Sequence, residues 1–340
     1  MLKRLLFTTC LLFLATLRAA DSPLPDGLYA EITTPHGTVI AELYFQKTPM
    51  TCASFVGLAE GTLGPAPRKP FFDGLTFHRV VEDLVVQGGD PSGTGYGNAG
   101  YLFPDEIVPG LHHDAEGVLQ MTNNGPDTNG SQFAILLAPA THLNYAHTIF
   151  GRIVRGLKTL SHIRQGDTMR VTILRFGAAA RQFRADEKSF ATLVARAPRL
   201  PVPFFEDLDA VMTLDRPWRG KFLEGKLANF HRFAGGKIYV RLVDQFAPEF
   251  AGQTIQQYVD GFRTQLRLPP EAVLACYFAQ TDEWRLAADG PTGVKLPYYQ
   301  PRKEPQPSPT NFEARRTERV RIYTAAMEVI TGLITQLEPK

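Results

Sequence analysis

Apolar and polar residues alternate from Leu28 to Thr33 and again from Thr38 to Phe45, on either side of Pro35-His36-Gly37. A period of two interrupted by such a triplet predicts a β-hairpin, with His36 in its turn. The period then lengthens. After Thr48-Pro49, the residues Cys52, Phe55, Val56 and Ala59 recur at helical spacing until Gly61, which predicts a helix with Cys52 as a small core residue on its buried face. Leu63 to Lys69 reads as a Pro/Gly-rich loop. From Phe77 to Asp90 the alternation returns in FHRVVEDLVVQGGD, predicting two short strands that turn at Glu82-Asp83 and place Leu84 in the second. They end at Gly88-Gly89, where the backbone needs freedom that a side chain would deny.

Pro91 to Gly100 is nearly all Gly, Ser, Thr and Asn, a surface loop closed by Phe103-Pro-Asp-Glu106. Val118 to Met121, Phe133 to Ala138, Thr148 to Val154 and Arg170 to Phe176 supply further strands, with a short helix at Leu157 to Ile163. The block Met121 to Phe133, MTNNGPDTNGSQF, is too rich in turn formers for regular structure. Many short strands, frequent turns and two helices suit a closed antiparallel barrel.

After residue 176 the pattern changes. Gly177 to Arg199 is Ala- and Arg-rich and predicts a helical connector, ending near Pro201 and Pro203. Lys237 to Val243 reads as a strand, and Thr254 to Leu268 as a helix with Ile255, Tyr258, Val259, Phe262 and Leu266 on one face. Ala272 to Phe278 reads as a buried strand, followed by a hairpin through Thr281-Asp282-Glu283 into Trp284-Arg285-Leu286. The order β-α-β-β predicts a small α/β domain over 204–296. Pro297 to Pro309 reads as a proline-rich linker or extended wrap. From about Asn311 a last helix places Val320, Tyr323, Met327, Ile330, Ile334 and Leu337 at steps of three and four, a stripe suited to packing on its own domain.

Composition narrows the function classes. A chain of 340 residues, 44% hydrophobic and 21% charged, has the balance of a globular protein with room for two domains. A net charge of +2 argues against a dedicated nucleic-acid binder. Lys3 and Arg4, the apolar run Leu5 to Leu17, and Ala19-Ala20 before Asp21 read as a secretory signal cleaved near Ala19/Ala20. The run falls short of the roughly 20 residues that span a bilayer, so the expectation is export, to a periplasmic or extracellular location, without stable membrane insertion. Three cysteines make no disulfide framework, and Cys10 lies in the leader, which leaves one Cys52–Cys276 bridge open. His112-His113 is not read as a metal site, since chain neighbours rarely face one ion and no further ligand has suitable spacing. Gly93 to Gly97 precedes no helix and is not read as a phosphate loop.

The candidate chemistry sits in Phe77–Asp90 and Met121–Phe133. On neighbouring strands Arg79 and Gln87 can act on one ligand. The motifs FHRVV, QGGD, GPDTNGSQF and HTIFGRIV, in this order and at this spacing over residues 28–176, closely resemble the cyclophilin family of peptidyl-prolyl isomerases. That resemblance implies an eight-stranded barrel capped by a helix at each end, and isomerisation of X-Pro bonds in proline-containing segments without any cofactor. It also implies Arg79 and Gln87 as the catalytic residues. His78, Leu84, Val85, Thr122, Asn123, Gln132, Ala134, His142, Leu143 and His147 would line the substrate site, with Gln87, Asn123, Gln132 and His147 holding the peptide backbone. His78 reads as a satisfied structural histidine, and His142 and His147 as a binding rim, since no activated nucleophile lies near them.

Four positions depart from the family pattern. Leu84 and Ala134 stand where cyclophilins carry Phe, and Phe to Ala removes on the order of 2–3 kcal/mol of apolar contact if nothing fills the gap. Thr122 is bulkier than the usual residue and would compensate in part. His142 replaces a Trp of the cyclosporin-sensitive members, which implies weak binding of that drug. Arg79 and Gln87 favour an isomerase acting on exported proteins, whereas Leu84 and Ala134 leave open a peptide-binding module with an eroded pocket. The second half is faintly similar to the TPM domains of bacterial exported proteins, and no catalytic motif accompanies that similarity.

Overall fold

The computed structural model describes residues 23–198, 205–207, 217–243, 252–279, 281–288, 293–297 and 312–339. The expected leader at 1–20 and nearly all of the proline-rich stretch lie outside the described residues. Strands β1 (Gly27–Thr34) and β2 (Gly37–Leu43) form the predicted hairpin in full register. At its turn Gly37 takes φ 124°, which a side chain would strain, and His36 meets Asp167 at 2.9 Å. Helix α1 (Pro49–Glu60) begins at its proline and stops at Gly61, which is left-handed at φ 72°. No side chain of its own turn caps α1. Glu106 does so from a distant loop, accepting the N–H groups of Met50 at 3.1 Å and Thr51 at 2.8 Å.

Strands β3 (Arg79–Val81), β4 (Val85–Gly88), β5 (Val118–Met121), β6 (Phe133–Leu136), β7 (Ile149–Arg155) and β8 (Arg170–Phe176) complete an antiparallel sheet in the order β3-β4-β6-β5-β7-β2-β1-β8. Register shifts at Ile40/Ala41 and Leu119/Gln120 mark irregularities of the kind that bend a sheet. Closure differs from the expectation. The sheet is curled but open, because the edge strands β3 and β8 do not pair and β3 is only three residues long. The segments leading into those edges meet instead: Thr76 bridges Thr168, and Phe77 N–H donates to Asp167 O at 2.9 Å. Helix α2 (Leu157–Leu160) is a single turn, shorter than predicted.

Helix α1 fills the hollow of the curled sheet. Phe55 packs its ring 5.0 Å from Phe72, 5.4 Å from Phe133 and 5.3 Å from Phe150, and all four are essentially inaccessible to solvent. Cys52 is buried here and Cys276 in a separate cluster, both as free thiols. Burial raises both thiol pKa values, that of Cys276 to about 12.

The segment after β8 is not a connector. Helix α3 (Gly177–Gln182) packs against β1 and β8, and helix α4 (Glu187–Arg196) folds back onto α1, both extending the same core. Phe183 packs edge-on against Phe45 at 5.4 Å, and Phe190 lies 5.3 Å from Tyr101 and 5.6 Å from Phe103. Alanine and arginine content suggested a helix correctly. The three-dimensional partners of the two phenylalanines were not visible locally.

The second half builds a four-stranded sheet in the order β12 (Glu283–Ala288), β11 (Val273–Phe278), β10 (Ile238–Val243), β9 (Phe205–Asp207), with the β11–β12 hairpin antiparallel and the other pairs parallel. Helix α6 (Ile255–Gln265) covers one face through Tyr258, Val259 and Phe262. Helices α5 (Pro217–Asn229) and α7 (Phe312–Leu337) cover the other, where Met327, Ile330 and Ile334 of the predicted stripe are buried and Val320 is exposed. No described helix is long and apolar enough to cross a membrane.

Replacing Phe190 by Ala will lower unfolding stability by about 2 kcal/mol, below the 3–5 typical of a fully buried phenylalanine because this ring is half-buried. Urea titration of the full chain reads this directly. An unchanged midpoint would show that 177–198 is an independent connector after all.

Candidate active site

Arg79 opens β3 directly opposite Gln87 of β4. Its guanidinium is exposed and donates from Nη1 to Gln87 Oε1 at 3.2 Å. Arginine only donates, so Gln87 must present its oxygen there and its amide nitrogen on the other side. Nε2 of Gln87 donates to Gln132 Oε1 at 3.0 Å and, more weakly, to Thr122 Oγ1 at 3.4 Å. Gln132 is fixed in turn, its Nε2 donating to the carbonyls of Gly95 at 2.9 Å and Gly97 at 2.8 Å. A directional relay therefore runs from the cation to the 91–97 loop.

Asp90 fastens that loop. It accepts from the N–H and hydroxyl of Ser92, each at 2.7 Å, and from Gly95 N–H. Partial burial raises its pKa, but the hydrogen bonds from Ser92, Gly95 and Gly97 outweigh it and hold the carboxyl below its ordinary value. A Cβ at residue 97 would come 2.0 Å from Asp90 Oδ1, so only glycine fits the turn.

Below the relay lies an apolar floor. Val85 and Ala134 are buried with Leu136, Ala140 and Ile149, and Leu84 and Leu143 pack against them partly exposed. Ala134 occupies the central strand β6, paired with Gln87 on one side and Gln120 on the other. Leu84 sits in the turn before β4 rather than in the strand, because Asp83 takes φ 56° and the ladder begins only at Val85. Thr122 joins the polar relay through its hydroxyl, which accepts from Gln87.

Asn123 borders the floor. Its Nδ2 donates to Asp105 Oδ1 and to Ala146 O, both at 3.2 Å, leaving its main chain for any peptide in the cleft. His147 lies across from it, with Nδ1 buried and unpartnered. Burial lowers the His147 pKa to about 3, helped by His113, Lys226 and His142 nearby, so the ring is neutral at any working pH. His142 is exposed on the short turn Thr141–Leu143, its pKa lowered by burial of the ring and then by Lys226. His78 keeps both ring nitrogens shielded from solvent, and desolvation lowers its pKa against the opposing pull of Asp90 and of Gln132. The two neighbouring histidines diverge, His112 pairing with Glu338 at 2.7 Å and His113 facing inward to Asn144.

Of the twelve residues singled out in the sequence, Gln87, Thr122, Asn123 and Gln132 line one pocket with the 95–98 loop, Arg79 joins it through Gln87, and Leu84, Val85, Ala134 and Leu143 form a neighbouring apolar cluster. The chain belongs to the cyclophilin-type peptidyl-prolyl cis-trans isomerase family. The model of the family described as cyclophilin type peptidyl-prolyl cis-trans isomerase/CLD matches residues 29–178. Peptidyl-prolyl cis-trans isomerase-like 1 of Homo sapiens is 42% identical over 151 residues, which cover 44% of this chain and 85% of the relative. Peptidyl-prolyl cis-trans isomerase A of Mycobacterium tuberculosis is 45% identical over 141 residues, covering 39% of this chain and 77% of the relative. Among solved structures, a cyclophilin type peptidyl-prolyl cis-trans isomerase of Cryptosporidium parvum aligns with 30% identity and a TM-score of 0.39, covering 44% of this chain and 98% of its own.

Outside the matched segment, α5 reaches the cleft, and its residues were missed in the sequence. Lys226 is fully buried and donates to the carbonyls of His142 at 2.9 Å and Asn144 at 2.7 Å. Asn229 donates to Asp105 Oδ2 at 3.0 Å and Tyr145 O at 2.9 Å, and Arg232 forks onto both oxygens of Asp127 at 2.9 and 3.1 Å. Phe222 sets its ring 5.8 Å from that of His147. The signal that would have found this helix is Leu223, Leu227 and Phe230, apolar at steps of four and three and all buried.

Burial lowers the His113 pKa to about 4 and that of His147 to about 3, below the unfolded value near 6.5. The unfolded chain therefore binds more protons across roughly pH 4 to 6.5, and the stability these neutral rings confer is complete above that window and lost as pH falls through it. The buried His113 alone contributes a slope of up to about 1.4 kcal/mol per pH unit. Urea midpoints measured between pH 4.5 and 7.5 will rise with pH, and His113→Gln will flatten the rise.

Proposed function

We propose that this chain accelerates cis–trans exchange at X-Pro bonds of exported proteins and thereby assists their folding, with Arg79 as the electrophilic residue. The observation that carries the reading is the relay Arg79–Gln87–Gln132, which holds a permanent cation beside an apolar cluster. Resonance across the C–N bond sets a barrier of about 18–20 kcal/mol, and in the twisted state the nitrogen becomes pyramidal and regains its lone pair. A fixed guanidinium aimed at that lone pair stabilises the twisted state more than either planar one. Arginine suits this role because it stays charged and offers donors in a rigid plane.

Leu84, Val85, Ala134 and Leu143 hold the proline ring while the preceding carbonyl turns, and the Asn123 main chain and Gln132 orient the peptide. No covalent or proton-transfer step is required, which agrees with histidines around the cleft that are held neutral. The leader pattern at 1–20 supports a periplasmic or extracellular setting, and hence exported clients.

Line-shape or exchange NMR on a short Ala-Pro peptide tests the mechanism. Arg79→Ala will lower the catalysed exchange by about 10²–10³, the loss typical of removing one preorganised electrostatic donor. Arg79→Lys will fall between, since it keeps the charge and loses the planar fork. Binding of the peptide by the unaltered chain without faster exchange would replace this reading with a peptide-binding module.

A further inference from the structure

Helix α5 crosses the gap between the two segments that flank the proline floor. On one side Gly225 lies against Pro126, so close that a Cβ there would stand 2.9 Å from Pro126 Cδ. On the other, Lys226 ties the helix to the carbonyls of His142 and Asn144. One turn back, Phe222 points its half-buried ring at His147, on the rim of the same floor. The floor itself lacks a ring, because Ala134 occupies the central position of β6 and Thr122 is committed to the relay.

We propose that Phe222 is a specificity-determining wall of the proline pocket, supplied by the second half of the chain and furnishing the aromatic contact that Ala134 does not. This rests on the isomerase reading for the identity of the pocket. Proline presents a flat apolar ring face, and an aromatic wall gives dispersion contact with it at little conformational loss. Three features suit Phe222 to this. Its backbone is fixed by the Lys226 and Asn229 hydrogen bonds on the same helix; its ring is half-buried at the edge of the second half's core, with one side left on His147; and the neutral His147 ring beside it presents no charge to repel an apolar ligand. The consequence is that the peptide site spans both halves of the chain. Ligands with a proline ring are held between the Leu84–Ala134 floor and Phe222, while Arg79 acts from the relay side.

The test uses the full chain and the peptide Ala-Ala-Pro-Phe, with affinity from NMR titration and turnover from exchange measured separately. Phe222→Ala will weaken binding and raise KM about tenfold, the equivalent of about 1.4 kcal/mol of lost ring contact, with kcat within a factor of two. Phe222→Tyr keeps the ring and will bind as the unaltered chain does, an outcome that misfolding of the helix cannot imitate. Unchanged affinity in Phe222→Ala would overturn the proposal. Tighter binding or faster exchange would overturn it also, by showing that α5 plugs the pocket rather than walls it. Affinity distinguishes this from a failure of the isomerase reading, because Arg79→Ala removes turnover while the Phe222 comparison is still read on binding.

Discussion

The buried carboxylate of Asp105 is the interaction on which the cleft and its neighbour helix both depend. It is 1% exposed, and each of its oxygens accepts two hydrogen bonds: Oδ1 from Asn123 and Asn129, Oδ2 from the Asp127 main chain and Asn229. Burial raises its pKa, and the bonds from Asn229, Asn129 and the Asp127 main chain oppose that rise by stabilising the charged form. Such a group tolerates no missing partner, because every donor left behind would be buried and unsatisfied. Three of its donors shape the 123–129 loop that borders the apolar floor. The fourth belongs to α5. The shape of the cleft and the docking of the second half are therefore one hydrogen-bonded unit.

The same economy of donors governs the Arg79 side. Arginine cannot accept, so its contact with Gln87 sets the direction of that amide, which sets Gln132, which reaches the Gly95 and Gly97 carbonyls. The loop carrying those carbonyls is held by Asp90 and needs glycine at 97 for lack of room. A long exposed side chain is thereby given a preferred position by polar atoms that touch no apolar ligand. The proposed role of Arg79 rests on that arrangement, since a cation free to wander would lose most of its preference for the twisted state.

The join between the halves is more polar than either core. Lys226, Asn229 and Arg232 on one side meet main-chain carbonyls and carboxylates on the other, and Glu338 at the end of α7 accepts from the Tyr145 hydroxyl at 2.7 Å and from Gly110 N–H at 2.9 Å. Apolar contact contributes too, with Ile107 and Tyr145 packed in one cluster with Leu223, Leu227 and Phe230. Directional bonds of this kind fix orientation more sharply than apolar contact alone. Burial brings the Lys226 pKa down to about 7, yet the two carbonyls it meets give its ammonium defined partners.

By itself the sequence determined the elements whose signals are local: the Pro35-His36-Gly37 hairpin, the Pro49 to Gly61 helix, the capped α6 from Thr254, and the pairing of Arg79 with Gln87 across a tight turn. The remaining candidate site residues came from the resemblance of its motifs to the family, not from periodicity. What only the tertiary structure decided depends on partners far apart in the chain. Whether the sheet closes is set by the meeting of segments 74–77 and 166–169. That 177–198 belongs to the core is set by Tyr101 and Phe103 under Phe190. That Phe222 and Lys226 reach the cleft is set by a helix whose apolar face serves another sheet. A side chain's burial is a sum over neighbours that the linear chain does not identify, so periodicity marks the elements and packing alone decides which of them meet.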